Sequence, residues 1–235
     1  MLSSPDPSQR QPDAVCGMFR SLVDCYDRLN LTMTFGMDRL WRKRLVELTL
    51  QNQPTKVLDL AAGTGDVALL LQESGVEVMA SDFCEPMLER AREKGVKHTQ
   101  VADALELPFE DAAFDAVTVA WGYRNFTDRE KAAQEVRRVL KPGGWFHILE
   151  SSEPDDWRRP FHRLYCQTFF PLIGKVVAGN ADAYSYLANT VAEFPKPEAL
   201  KTRLGEIGFT NVTWESLGMG AVCVHSSQKL GTEVS

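Results

Sequence analysis

The chain has no run of apolar residues approaching the roughly 18 needed to cross a bilayer, and nothing in it reads as a secretory leader. Met1 to Ala14 is polar, carries Pro5 and Pro7 early and has no apolar stretch. Residues 1–16 are therefore expected to form a disordered tail, and the protein to be cytoplasmic. There is no C-x-x-C pair. The five cysteines, Cys16, Cys25, Cys84, Cys166 and Cys223, are scattered and odd in number, which predicts a reduced compartment and inert thiols rather than a metal or redox centre. The four histidines are dispersed as well; His98 and His147 fall in strand-like contexts as packing residues, and no metal site is expected. Positive charge is short. A net charge of −6 argues against a nucleic-acid substrate, which needs a clustered basic surface. Internal repeats are missing. What remains, 44% hydrophobic and 25% charged over 235 residues, is the composition of a globular chain with one elaborated domain.

The most informative segment present is Lys56-Val-Leu-Asp-Leu-Ala-Ala-Gly-Thr-Gly-Asp66. Val57, Leu58 and Leu60 suit an inner parallel strand, while Gly63 and Gly65 let the chain turn tightly and approach a ligand where a Cβ would collide. Ala68 completes a G-x-G-x-x-G/A pattern, so this run alone fits a dinucleotide site equally well. Asp59, at the end of the strand, either touches the ligand or braces the turn. The strands beyond it discriminate. Val76 to Ala80 predicts a second strand ending at Asp82, near the roughly 20-residue spacing at which an acid accepts ribose hydroxyls. A third, His98 to Val101, ends in Asp103-Ala104. A fourth, Phe114 to Ala120, leads to a helix over Asp128 to Leu140, a connection Lys141-Pro-Gly-Gly144, and a fifth strand containing His147. A dinucleotide enzyme would need a second mononucleotide half. The remainder offers an aromatic-basic segment, a helix and two strands instead.

This layout is similar to the class I S-adenosylmethionine (SAM) methyltransferases. The resemblance implies an α/β, Rossmann-like fold with a seven-stranded, mostly parallel sheet, helices on both faces, an antiparallel C-terminal strand, and SAM as cofactor. It implies further that Asp59, Ala61, Gly63, Thr64 and Gly65 hold the methionine end, Asp82 and Phe83 the ribose, and Asp103 and Ala104 the adenine, with Ala120 and Trp121 completing the cofactor site. A single domain over 17–229 would comprise a helical cap (17–53), in which Trp41, Leu45 and Leu48 recur at helix spacing, and a cofactor-binding core (54–152). An insertion (153–195) and a C-terminal part (196–229) would complete it. The last holds a helix from Pro197 closed by a C′ glycine, Gly208, then strands Asn211–Leu217 and Ala221–Ser226.

The flanking segments narrow the resemblance. Val23 to Gly36 with Trp41-Arg42 after it, Gly122 to Asp128 with Glu135 to Gly144 after it, the Tyr184-Ser-Tyr-Leu187 segment, and Gly220 to Lys229 resemble the signatures of the ubiquinone/menaquinone biosynthesis C-methyltransferases, from Phe19 to Lys229. Ala120 replaces a serine common there, Trp121-Gly-Tyr123 replaces Phe-Gly-Leu, and Ser226 to Gln228 lacks the family glycine. The resemblance implies C-methylation of a polyprenylated demethylquinol, the naphthoquinol of menaquinone biosynthesis ahead of the benzoquinol of ubiquinone biosynthesis. Two other readings share the fold: a methyltransferase of another small phenolic or sterol-like metabolite, and a non-catalytic SAM-binding partner protein.

A quinone carbon is electron-poor, so the acceptor must be the quinol, whose phenolate places charge on the ring carbon. Free phenols titrate near about 10, so a cation or donor must favour that form. Arg124 and Asn125, after strand four, are the catalytic candidates; the alternative is that they only pin their loop. Tyr26, Tyr123, Tyr184 and His225 are candidate substrate contacts; for Tyr26 and Tyr184 the alternative is a lid aromatic packed on core helices, and for His225 a structural role. Trp157 to Val177 mixes Arg158, Arg159 and Arg163 with aromatic and aliphatic residues. It reads as a peripheral membrane contact, as a lid, or as a homodimer surface, and Pro160 and Pro171 argue against one continuous helix there.

Overall fold

The computed structural model describes residues 16–17, 20, 23, 26–154, 157–162, 164–165, 168, 190–191 and 194–231. Two helices lead, α1 (Tyr26–Met33) and α2 (Met37–Leu50). Strand and helix then alternate through β1 (Lys56–Leu60), α3 (Asp66–Glu73), β2 (Glu77–Asp82), α4 (Glu85–Lys94), β3 (Thr99–Val101), β4 (Phe114–Ala120), α5 (Arg129–Val139) and β5 (Leu140–Ser151). After these come α6 (Pro197–Ile207), β6 (Phe209–Leu217) and β7 (Val222–Lys229). The sheet order is β3-β2-β1-β4-β5-β7-β6. Strands β1 to β5 pair in parallel, and β7 runs antiparallel to both β5 and β6. The order reverses between β1 and β4, the switch point where an open α/β sheet opens a crevice at its carboxyl edge.

The apolar run that predicted an inner strand explains this placement. Val57 and Leu58 on β1 and Val117 and Val119 on β4 are fully buried, because helices cover both faces. Leu58, Leu60, Val117, Val119, Phe146 and Ile148 pack with Ala132, Ala133 and Val136 of α5 and with Leu200 and Leu204 of α6. On the opposite face Val57, Val78, Ala80 and Ala116 pack with Leu45 of α2, Ala68 and Leu71 of α3, and Ala91 of α4, with Trp41 and Leu48 against them. The 2.0-residue alternation along each strand sorts these side chains between the two cores.

Two expectations need correction. Lys141 to Gly144 is not a connection before β5 but part of it. The ladder pairs Phe114 with Leu140, then jumps to Ala116 with Trp145, so these residues are taken up in a bulge. A Cβ at Gly144 would stand 2.9 Å from the Asp115 carbonyl oxygen, which is why glycine is required. Nor are all the thiols inert, for Cys16 and Cys84 form a disulfide with a Cα–Cα separation of 5.2 Å. The sequence separation of 68 hid the pair, in which Cys16 meets Cys84 at the turn after β2. Cys223 is free and buried. His147, expected to pack, is buried with Nδ1 2.9 Å from Ser226 Oγ, and burial lowers its pKa to about 4. Among the described residues no helix is long and apolar enough to cross a membrane.

Candidate functional site

The carboxyl ends of β1, β2, β3 and β4 open into a two-part cleft. The larger part, about 870 Å³ counted out to open solvent, is lined by Asp82, Phe83, Asp103, Ala104, Asn125 and Thr127 among others. The smaller part is lined by Asp59, Thr64, Asp66, Val67 and Arg42. Tyr26, Ala61, Gly63, Ala120 and Trp121 line both.

The backbone at the strand ends is specialised. Ala61 after β1 and Trp121 after β4 adopt φ of 55° and 56°, a left-handed conformation that costs a residue with a Cβ on the order of 1–3 kcal/mol and that clusters at functional sites. These turns abut, since a Cβ on Gly122 would lie 2.4 Å from the Ala61 Cβ. Gly65, at φ 82° before α3, would drive a Cβ to 2.6 Å from Val96 Cγ2. Gly65 is therefore fixed by packing as well as by its left-handed turn, and Gly122, at φ −96°, by packing alone. Gly63, at φ 55°, has open space where its Cβ would be, so a ligand can approach the backbone there.

The three strand-end acids are held differently. Asp59 is buried, its Oδ1 accepts the Thr118 hydroxyl at 2.8 Å, and its Oδ2 has no partner among the described residues. Burial, opposed by the Thr118 bond, pushes its pKa up to about 7. Asp82 accepts Gly63 N–H at Oδ2 (2.8 Å) and Cys84 N–H at Oδ1 (2.9 Å); burial raises its pKa against those bonds. Asp103 accepts Leu105 N–H at 2.9 Å. An orphaned buried carboxylate oxygen, a left-handed glycine with open space beside it, and two further acids along the same wall fit a ligand carrying an ammonium, a ribose and an adenine. SAM is such a ligand.

Residues that could act on an acceptor are sorted by the same geometry. Tyr26 of α1 and Asn125, in the 3-10 turn Tyr123–Asn125, face the larger part of the cleft, and burial raises the Tyr26 pKa. Arg124 does not line the cleft. It is buried, with Nη1 donating to Glu150 Oε1 and to the Trp121 carbonyl, each at 2.7 Å, while its N–H donates to Glu150 Oε2 at 3.2 Å. The expectation of a guanidinium presented to a phenolate is corrected to a buried ion pair that anchors the turn. Tyr123 is also a core residue: it is 2% exposed, donates its hydroxyl to the Arg129 carbonyl, and packs edge-on against Phe126, Phe146 and Phe194. His225 sits on β7 away from the cleft, buried, with Nε2 3.0 Å from the Pro197 carbonyl oxygen. Neither touches the site, so both substrate assignments give way to packing. Tyr184 lies outside the described residues.

Several site residues escaped the sequence reading. Glu150 had a usable signal, being an acid at the end of an apolar strand like Asp59 and Asp82. Asp27 and Arg42 lay inside segments noted only for their resemblance and Lys94 had no signal at all, because the meeting of the three is tertiary. Thr64 Oγ1 donates to Asp27 Oδ1 at 2.7 Å, and Lys94 Nζ pairs with Asp27 at 3.0 Å and also with Asp66. Arg42 of α2 pairs with Asp38, lies 3.4 Å from Asp66 Oδ2, and has its guanidinium carbon over the Trp121 ring, 5.0 Å from the centroid. These contacts fasten α1 and α2 to the glycine turn.

Comparison with known proteins points the same way. The model of the ubiE/COQ5 methyltransferase family matches residues 7–229. The demethylmenaquinone methyltransferase of Thermus thermophilus is 46% identical over 216 residues, 88% of this chain and 98% of that protein. The ubiquinone/menaquinone biosynthesis C-methyltransferase UbiE of Rubrivivax gelatinosus is 37% identical over 210 residues, 88% of this chain and 84% of that protein. Among solved structures, a SAM-dependent methyltransferase of Thermotoga maritima superposes with a TM-score of 0.68 at 21% identity, covering 91% of this chain and 98% of that one. The [4+2]-cyclase SpnF superposes with a TM-score of 0.60 at 18% identity, covering 97% and 98%. At that identity the likeness is one of fold alone, and a cyclase on the same fold shows why the reaction must come from the site.

Proposed function

The chain belongs to the ubiE/COQ5 methyltransferase family, and on that premise we propose that it methylates a ring carbon of a polyprenylated demethylquinol, the naphthoquinol that becomes menaquinol. It is a SAM-dependent methyltransferase. The observation that carries the site reading is the convergence of Asp59, Asp82 and Asp103, from three successive strand ends, on one cleft beside Gly63.

SAM supplies a methyl carbon made electrophilic by the adjacent sulfonium. The residues of the chain do the rest. Asp59 would hold the ammonium of the methionine end, Asp82 would accept the ribose hydroxyls with the oxygen lone pairs its backbone donors leave, and Asp103 with Ala104 would receive the adenine. Ala61, held left-handed against Gly122, keeps β1 and β4 in register around the ligand, and Phe83, Ala120 and Trp121 shield the methyl group from water. Tyr26 and Asn125 donate toward the acceptor oxygen and favour its phenolate. Arg124, locked to Glu150, braces the turn that carries Asn125.

Preference for the naphthoquinol draws support from relatives named demethylmenaquinone methyltransferase in Thermus thermophilus and Deinococcus radiodurans, at 46% and 44% identity. A tail-bearing acceptor must be met near a bilayer. Phe35, Trp157, Phe161 and Leu164 are 79, 75, 65 and 59% exposed, and the Tyr165 hydroxyl bonds the Met33 carbonyl, which links the two exposed apolar groups. Peripheral membrane contact through this face is part of the proposal. The test is the mass gain of a short-tailed demethylmenaquinol incubated with SAM under dithionite, beside a benzoquinol acceptor. A gain of one methyl on the naphthoquinol only is expected. Equal gain under oxidising conditions would refute the phenolate route, and no gain on either quinol would refute the substrate class.

A further inference from the structure

The cleft distributes its charge unevenly. Its larger part is lined by the acids Asp82 and Asp103 and, among the described residues, by no lysine or arginine. The smaller part carries Asp59 with its unpartnered Oδ2, Asp66 at the start of α3, and Arg42, the only cation lining either part among the described residues. Arg42 comes from α2, outside the strand-and-turn motif. It is 7% exposed, its guanidinium carbon lies over the Trp121 ring 5.0 Å from the centroid, and it pairs with Asp38, so the side chain is held before any ligand arrives. Its hydrogen bond among the described residues goes to Asp38. The approach to Asp66 at 3.4 Å is an ion pair. Among the described residues, most of the five N–H groups of the fork thus have no acceptor.

A ligand whose end is an amino acid presents an ammonium and a carboxylate from one carbon. The ammonium has Asp59. We propose that Arg42 binds the carboxylate of the methionine end of the cofactor, so that Asp59 and Arg42, which line the same smaller part of the cleft, each take one of the two charges. This inference rests on the SAM reading and extends it to a residue of the helical cap. Asp38 and Trp121 then serve as the supports that aim the guanidinium, and Lys94, paired with both Asp27 and Asp66, offsets the acids that would repel a carboxylate. The planar fork suits a bidentate carboxylate.

The rival role for Arg42 is a bolt between α2 and the glycine turn, and a pair of ligands separates the two. Calorimetric affinities are measured for S-adenosylhomocysteine and for its decarboxylated counterpart, which keeps the ammonium, on the parent protein, Arg42→Lys and Arg42→Gln. The parent is expected to prefer the intact ligand by roughly tenfold to a hundredfold, the worth of a charge-assisted bond. Arg42→Gln should bind both ligands alike, and Arg42→Lys should fall between, since a point charge lacks the fork. A parent with no preference overturns the proposal, and this arm requires no substitution to fold. A preference that survives in Arg42→Gln, or a variant that weakens both ligands equally and keeps their ratio, overturns it as well. If the parent binds neither ligand, the SAM reading fails first.

Discussion

Replacing Asp59 by asparagine turns its buried carboxylate into a quantitative probe of cofactor binding. Burial raises its pKa to about 7, so the free protein holds a proton there over most of the acid range. An ammonium ligand needs the ionised form. The ionised fraction is roughly one half at pH 7 and about 3% at pH 5.5, and apparent affinity scales with the competent fraction. SAM binding should therefore weaken about fifteenfold between those pH values, with a proton released on binding. The ligand's own amino group, titrating at about 7.7–8.0, stays charged throughout. For stability the sign is the opposite of an ordinary ion-paired acid: because the folded-state pKa lies above the unfolded one, the contribution of Asp59 is full below about pH 4 and is lost as pH rises to about 7. Calorimetry in two buffers of different ionisation enthalpy would give both affinity and proton count. Asp59→Asn, matched in size, should flatten the slope, and what remains belongs to Asp82. A parent slope that persists unchanged in Asp59→Asn would refute the reasoning.

Three further outcomes are expected. Arg124→Ala leaves Glu150 buried without its partner, so urea unfolding should show a loss of about 3–5 kcal/mol. Gly122→Ala collides with Ala61 and should cost about 1–3 kcal/mol and weaken SAM binding; adding Ala61→Gly, which removes the obstructing methyl, should recover much of both, read by thermal shift with and without cofactor. Cys16→Ser should lower the melting temperature when no reductant is present and leave it unchanged in excess dithiothreitol, because the disulfide acts by restricting the unfolded chain, worth about 4 kcal/mol for a loop of this length.

The sheet was legible because β1 and β4 are apolar on both faces and β1, β2 and β3 each carry an acid at or just beyond the carboxyl end. Their burial dictates parallel pairing, and Asp59, Asp82 and Asp103 all reach one cleft. Meetings across long separations could not be read. Arg124 and Glu150 are 26 residues apart, and only packing makes the arginine a buried partner rather than a free cation. Tyr123 and His225 carry polar atoms that suggested function, yet the Tyr123 hydroxyl and His225 Nε2 each meet a backbone carbonyl inside the core, and His225 Nδ1 stays buried without a partner among the described residues. The bulge at Lys141 to Gly144 looked like an ordinary turn because proline and two glycines mark loops and strand irregularities alike.

The fastening of α1 has a thermodynamic consequence. Leu29 is its one buried apolar residue among those described, whereas Asp27 ties it to Thr64 and Lys94 through charge and hydrogen bonds. Releasing this helix exposes little oily surface, so its heat-capacity change is small and its opening equilibrium varies gently with temperature. Ionic strength acts differently. With Lys94 and Asp27 side chains 20 and 40% exposed, dissolved ions compete with the tie and shorten its reach. Cofactor exchange should therefore quicken with salt while the apolar core beneath stays closed, which makes the rate of entry to the cleft separable from the stability of the fold.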